Sequence, residues 1–581
     1  MRLPTACLVT LLTSSALSLS GCGGTQAAEL LVTGDSKDIH ERPEDAPPNS
    51  PKRPALLVLA LDGVGRDLLY DMLKQGELPE MARLLGGKGS DYAHAYFDER
   101  YLSTLPSSTA VAWVTAFTGV PPAEHGLAGN EYFIREKRQF AAPVPVTFHN
   151  PEPVLATYTD QYVNKLTLAP SVYEQMRERD PHVSIWVAMH QLHRGADRLL
   201  VTDRAVLADA FKAFLEEQIT EKLARKDSKA VYSALDEQVI ETVVEELSDE
   251  DDPVPDVLTI YLSGTDQFAH VADIGPDKAR RKYLKDEVDP LMKDLREALQ
   301  ARKALDNRYV VITADHGHTE VMDDDEHALA MDDEDDPPGV LLKAGFRLRP
   351  FQLDVSEEHD FNAVLAYQGA MAYVYVADRS TCEKEGKACD FARAPRFKED
   401  VLVAAQAFYD ANQSGKYVKG MKGTLDMVLT RKPKAPREQD EPFQVYVGGG
   451  KLVPVERYLA ANPHPTYVDL DERLRDLAVG KHGERAGDVL LIANNGNRET
   501  PEERYYFSAR YRSWHGSPSR QDSEIPLIVA HPGRTSQQLG AQVKTALGDE
   551  PYQQKLSSLL LSLRLGERAA RKRLNAQARR E

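Results

Sequence analysis

The sequence predicts an α/β fold: a mostly parallel central sheet between helix layers, carrying a mixed α+β insertion. Three observations predict it. Apolar runs of strand length recur along the chain without polar alternation, and such runs fit strands buried on both faces. Helical patterns lie between them, as strand–helix alternation requires. Several of the runs end in an aspartate, the place where open α/β sheets bind ligands.

The chain begins with an address. Residues 1–21 read as a signal peptide: Arg2, then an apolar core too short and interrupted to span a membrane. Leu19-Ser20-Gly21-Cys22 resembles the lipobox of bacterial lipoproteins. That resemblance implies cleavage before Cys22, a lipid on its sulfur, and a mature chain anchored to membrane at the bacterial cell envelope, in the periplasm or at the outer membrane. Residues 22–54 are polar and proline-bearing, with no apolar period, and read as a tether.

Order is expected from Ala55. The strand runs are Ala55–Leu61, Ser184–His190, Val257–Asp266, Tyr309–Gly317, Asp488–Asn494 and Ile525–His531. Helical patterns include "RDLLYDMLKQGELPEMARLLG" and "DEVDPLMKDLREALQARKAL". Residues 55–339 and 482–540 are therefore read as the core. Residues 340–481 change character, with charge runs, scattered glycines and short alternating pieces, and read as an insertion or cap. The acidic "DDDEHALAMDDEDDPP" reads as a solvated linker into it; its spacing matches no calcium loop of the EF-hand type. Residues 541–581 read as a helical tail with a basic end, packed on the domain or touching an anionic membrane surface.

Bulk numbers narrow the function. Of 581 residues, 42% are hydrophobic and 28% charged, which fits a folded globular chain. A net charge of -19 argues against a nucleic-acid groove. An anionic substrate would need local positive charge, such as metal ions, to overcome that field. Of the four cysteines, Cys7 and Cys22 belong to the address. Cys382 and Cys389 remain, and in an exported chain they are expected to form a disulfide closing a charged surface loop.

Asp62, Asp266 and Asp315 close three of the strand runs. Three carboxylates at three such ends would repel one another unless cations share the site. His316 follows Asp315, and His270 lies one helical turn after Asp266. Mixed carboxylate and imidazole ligands suit zinc or another first-row metal. Each residue alone reads as a turn, cap or structural residue; the joint pattern carries the inference.

The ordered stretches "LALDGVGRDLL", "LPSSTAVAWVTAFTGVPPAEHGLAGN", "YLSGTDQFAHVADIGP", "TADHGHTE" and "SWHGSPSRQDSEIPLIV" resemble the alkaline phosphatase superfamily, in its nucleotide pyrophosphatase/phosphodiesterase branch. The resemblance implies an alkaline phosphatase-like fold and a metal-dependent phosphoesterase with a phospho-threonine intermediate on Thr109. It implies two divalent ions, zinc first and manganese as the alternative. Asp266, His270 and His515 would hold one, and Asp62, Asp315 and His316 the other. Thr109 would lie between them as nucleophile and metal ligand, with Asn130 donating to a phosphoryl oxygen. The substrate would be a small phosphate ester. A phosphodiesterase is the first expectation. A phosphomonoesterase, a phosphonate hydrolase, or an exported binding lipoprotein that lost the reaction are the alternatives. Two departures bear on the leaving-group pocket: Val111, Ala112 and Trp113 stand where the family often has Pro-Asn-His, and Ser108 where it often has Lys. Ser107 and Ser108 read as helix caps. No Cys-x-Pro-x-Arg stretch is present, which sets a sulfatase aside.

Overall fold

The computed structural model describes residues 37–38, 53–87, 91–144, 146, 162–200, 228–329, 334–350, 360–382, 387–434 and 440–566. The signal peptide, Cys22, most of the tether and the basic end at 567–581 lie outside them. Among the described residues no helix is long and apolar enough to cross a membrane.

Eight strands form the central sheet: β1 (Lys37–Asp38), β2 (Ala55–Leu61), β3 (Ala95–Asp98), β4 (Ile185–Ala188), β5 (Arg198–Leu200), β6 (Val257–Leu262), β7 (Arg308–Ala314) and β8 (Leu527–Ala530). Their order is β1-β5-β4-β6-β2-β7-β8-β3. The block from β5 to β7 is parallel, β1 and β8 flank it antiparallel, and β3 pairs antiparallel with β8 at the edge. Strand β2 lies at the centre, with Leu56 against Val257 on one side and Tyr309 on the other. Residues Leu56 to Leu61 are all buried, as a strand covered by helices on both faces requires.

A second sheet of six strands is wholly antiparallel where its pairings are described. It runs Ala363–Tyr367, Met371–Val376, Val489–Ala493, Leu425–Thr430, Gln444–Tyr446, Leu452–Pro454. The Asp488–Asn494 run therefore differs from its expected place in the parallel sheet. A run apolar on both faces reports burial on both faces, not strand direction. Leu490 and Ile492 point into the main core, while Val489, Leu491 and Ala493 pack with Ala404, Ala405 and Phe408 of the Leu402–Ser414 helix. That helix covers the far face, so an antiparallel strand acquires the sequence pattern of a parallel one.

Cys382 and Cys389 are bonded. Both are 2% exposed and sit in the main core, so the bridge is not at the surface as expected. The C-terminal region forms two helices, Ser536–Leu547 and Lys555–Leu565. The second buries Leu556, Leu559 and Leu560, and it carries a buried guanidinium, Arg564. Arg564 meets Asp256 at 2.9 Å and donates to the Pro54 carbonyl at 2.9 Å, beside the start of β2.

Breaking a buried ion pair from one side strands the other charge, at about 3–5 kcal/mol. Arg564→Ala should lower stability on that scale, seen as a fall in the urea midpoint. Asp256→Asn in the same background should return part of the loss. An unchanged midpoint would mean that the pair does not hold this helix.

Candidate metal centre

The three aspartates follow adjacent strands. Asp62 directly follows β2, Asp315 directly follows β7, and Asp266 lies in the first turn of the Gly264–Val271 helix that follows β6. Since β6, β2 and β7 are neighbours, the register brings the carboxylates together. The helix is started from outside: Asp236 accepts from the N–H groups of Ser263 at 3.1 Å and Gly264 at 3.2 Å. One helical turn on, His270 faces the same side as Asp266, with Nε2 3.5 Å from its Oδ2.

Three overlapping groups have ligand atoms close enough to hold an ion: Asp266, His270 and His515; Asp62, Asp315 and His316; and Asp266, His316 and His318. His316 Nε2 lies 3.3 Å from Asp315 Oδ2, 3.5 Å from Asp62 Oδ1 and 4.0 Å from Asp266 Oδ1. His515 Nε2 is 3.9 Å from Asp266 Oδ1. In each of these imidazoles the other nitrogen is engaged by a backbone carbonyl. His270 Nδ1 meets Ser513 O at 2.6 Å, His316 Nδ1 meets Gly317 O at 3.0 Å, and His515 Nδ1 meets Ser107 O at 3.0 Å. A ring that donates from Nδ1 presents an Nε2 lone pair inward, which is the tautomer a metal needs.

The electrostatics match that donor set. Burial, then repulsion from Asp315 and Asp266, pushes the Asp62 carboxyl well above its usual range. Burial raises Asp315 as well. Burial alone would raise Asp266, but His270 and His318 hold it well below the ordinary value. Burial, then the neighbouring His316, drives His515 well down and keeps it neutral. Asp62 Oδ1 and Asp315 Oδ2 are buried without a hydrogen-bond partner. Orphaned carboxylate oxygens facing inward lone pairs fit divalent cations, because a cation satisfies both at once.

Thr109 is the first residue of the Thr109–Thr118 helix, and its Oγ1 lies 3.2 Å from His316 Nε2. The helix N-terminus thus points at the carboxylate and imidazole cluster. Ser107 and Ser108 do not cap it as expected. Ser108 occupies the N-cap position without a side-chain bond. Ser107 Oγ contacts the carbonyls of Thr104 at 3.2 Å and Ser517 at 3.3 Å, and accepts from the buried Arg473 at 2.8 Å. Asn130 supplies the cap from a distance, its Oδ1 accepting from the Ala110 N–H at 2.9 Å. That bond fixes the amide orientation and leaves the Asn130 NH2 as its donor face. Trp113 is fully buried and packs edge-on to His190 and Tyr261, with centroids 5.3 Å and 6.0 Å away. It is a core residue.

Sequence reasoning missed three supporting residues. Tyr261 donates to Asp62 Oδ2. His318 Nε2 meets Asp266 Oδ1 at 2.8 Å. Gln368, in the turn between Ala363–Tyr367 and Met371–Val376, accepts from the Asn130 N–H at 2.7 Å and donates to the Glu131 carbonyl. His318 was visible in "TADHGHTE", two residues past His316. Nothing local marks Gln368, because it reaches the site from 238 residues away.

An α/β fold with buried carboxylates and inward-facing imidazoles at the carboxyl edge of its parallel strands defines a candidate metal site. Residues 56–517 match the model of the Type I phosphodiesterase / nucleotide pyrophosphatase family, and the chain belongs to that family. It is a phosphoester hydrolase. The alkaline phosphatase PafA is similar in structure, with a TM-score of 0.52 at 15% identity over 89% of this chain and 96% of that one, a likeness of fold. The murine ectonucleotide pyrophosphatase / phosphodiesterase 5 gives 0.45 at 14% identity over 88% of this chain and 94% of that one. Its human counterpart gives 0.44 at 12% identity, over the same shares. No curated protein matches.

Removing one carboxylate from a crowded, buried, metal-free cluster relieves repulsion. Asp315→Asn should raise the thermal midpoint by a few degrees in chelator, and added zinc should stabilise the wild type more than the variant. A lower midpoint for the variant in chelator would contradict the repulsion described here.

Proposed function

We propose that the chain is a phosphodiesterase of the nucleotide pyrophosphatase type, working through phospho-Thr109 with two divalent ions, zinc first and manganese as the alternative. The observation that carries the reading is the Thr109 hydroxyl, 3.2 Å from His316 Nε2 at a helix start aimed into the candidate ligand cluster. Asp266, His270 and His515 would hold one ion, and Asp62, Asp315 and His316 the other, with Thr109 between. When bound, the ions supply charge that favours the Thr109 alkoxide and the departing oxygen.

The chain's own residues do the rest. Thr109 Oγ1, its proton passed to solvent, forms the bond to phosphorus as the bond to the leaving oxygen breaks, and water then displaces Thr109 from phosphorus and restores its hydroxyl. The positive end of the helix dipole at Thr109 favours the added negative charge. The Asn130 NH2, held by its own Oδ1 bond to Ala110, donates to a non-bridging oxygen. Tyr261 and the Gly63 N–H, the latter 3.0 Å from Asp315 Oδ1, keep two of the carboxylates in place. A small phosphate ester is the substrate class. The 340–481 insertion is read as a cap. Lipidation of Cys22 would anchor the chain at the cell envelope, and Cys22→Ser should release it from membranes on fractionation.

A panel of nitrophenyl monoesters, diesters and phosphonates separates the substrate readings: diesters should turn over fastest. Thr109→Ala should lower kcat at least about 1,000-fold while zinc content stays at the wild-type level. Thr109→Ser should keep substantial activity, since a primary hydroxyl can occupy the same place. Near-normal turnover by Thr109→Ala would remove the phospho-threonine step.

A further inference from the structure

We propose that His318 is the positioning residue that makes Asp266 a one-oxygen ligand and assigns it to the ion held by His270 and His515. The inference rests on the two-ion reading above.

Asp266 is contested. Its carboxylate falls in two candidate ligand groups, one with His270 and His515 and one with His316 and His318. Its Oδ2 is 3.5 Å from His270 Nε2, while its Oδ1 lies 3.9 Å from His515 Nε2 and 4.0 Å from His316 Nε2. A carboxylate so placed can chelate one ion through both oxygens, or turn toward the neighbouring ion. His318 removes that freedom. Its Nε2 sits 2.8 Å from Oδ1, the distance of an imidazole N–H donating to a carboxylate. The oxygen on the His270 side then remains for the ion.

His318 is itself held at every side. Its side chain is fully buried. Its Nδ1 is 3.1 Å from Ser513 Oγ, and that hydroxyl also lies 2.8 Å from the Ala269 carbonyl. The same Ser513 takes His270 Nδ1 on its backbone carbonyl at 2.6 Å. One residue thus sets the two imidazoles that flank Asp266, whose ring centroids are 4.8 Å apart. Across the ring, Gly63 has a φ of +68°, and a Cβ there would lie 2.7 Å from His318 Nε2 and 2.9 Å from Asp266 Cα. The glycine leaves room for the bond and for nothing larger. Both ring nitrogens face oxygens that accept: Asp266 Oδ1, and a Ser513 hydroxyl whose own proton goes to the Ala269 carbonyl. A ring that donates from Nε2 has no lone pair there for a metal. This separates a positioning role from a ligand role.

The two amides that mimic a histidine supply the test. Glutamine places its NH2 near the position of Nε2, within reach of Asp266; asparagine reaches only as far as Nδ1, toward Ser513. The full mature chain is stripped of metal and titrated with zinc against a chromophoric chelator. Wild type should take up two equivalents. His318→Ala should weaken one of them by about 10–100-fold and leave the other unchanged. His318→Gln should restore it to within a few-fold, and His318→Asn should behave like His318→Ala. If glutamine fails as alanine does, His318 is a ligand and the inference is wrong. Equal affinities in all four proteins would overturn it as well. A wild type that binds no zinc would refute the two-ion reading itself, and this inference with it.

Discussion

The convergence of Asp62, Asp266 and Asp315 is the constraint on which the rest of the site depends. Three neighbouring parallel strands, β6, β2 and β7, end together, and the chain places a carboxylate at or just beyond each end. Buried like charges are costly, and burial and mutual repulsion raise two of these carboxyls. A fold does not retain such a cluster for stability, because apolar side chains there would pack at no electrostatic cost. The imidazoles of His270, His316 and His515 turn their Nε2 atoms toward the carboxylates, each ring oriented by a backbone carbonyl at Nδ1. The combination suits cations supplied from solution, and it supplies the local positive charge that a chain of net charge -19 lacks for an anionic substrate.

The second sheet takes part in the centre. The turn between two of its strands carries Gln368, whose amide grips the backbone on both sides of Asn130. Two residues further, the Ala370 N–H donates to the His515 carbonyl at 3.0 Å. Gly369 makes this approach possible: its φ is +79°, and a Cβ there would lie 2.3 Å from the His515 oxygen. One turn therefore sets Asn130 and a candidate ligand at once. Substitutions in this sheet should reach the site through backbone shifts rather than through lost ligands.

Much of this was legible in the sequence, for a definite reason. Strand runs ending in Asp62 and Asp315, and the helical spacing of Asp266 and His270, are local patterns, and local patterns survive in one dimension. The same locality misled elsewhere. Val489–Ala493 was expected in the parallel sheet because its neighbours bury it on both faces, and those neighbours come from distant segments. Ser107 and Ser108 sit where caps belong, yet the cap comes from Asn130, twenty residues beyond the Ala110 N–H it accepts from. Cys382 and Cys389 lie in a charged stretch, yet their sulfurs join the core beside Phe391. In each case a tertiary partner outcompeted the local rule. Gln368 is the extreme: an ordinary turn glutamine whose role exists only in three dimensions.

The central claim is that the converging carboxylates and imidazoles form two neighbouring cation sites that share no carboxylate and no imidazole. Diffraction from zinc-loaded crystals at the zinc absorption edge tests it most directly. The account predicts two anomalous peaks, one among Asp266, His270 and His515 and one among Asp62, Asp315 and His316, with His318 in contact with neither. A single peak, or a peak ligated by His318 between Asp266 and His316, would contradict it.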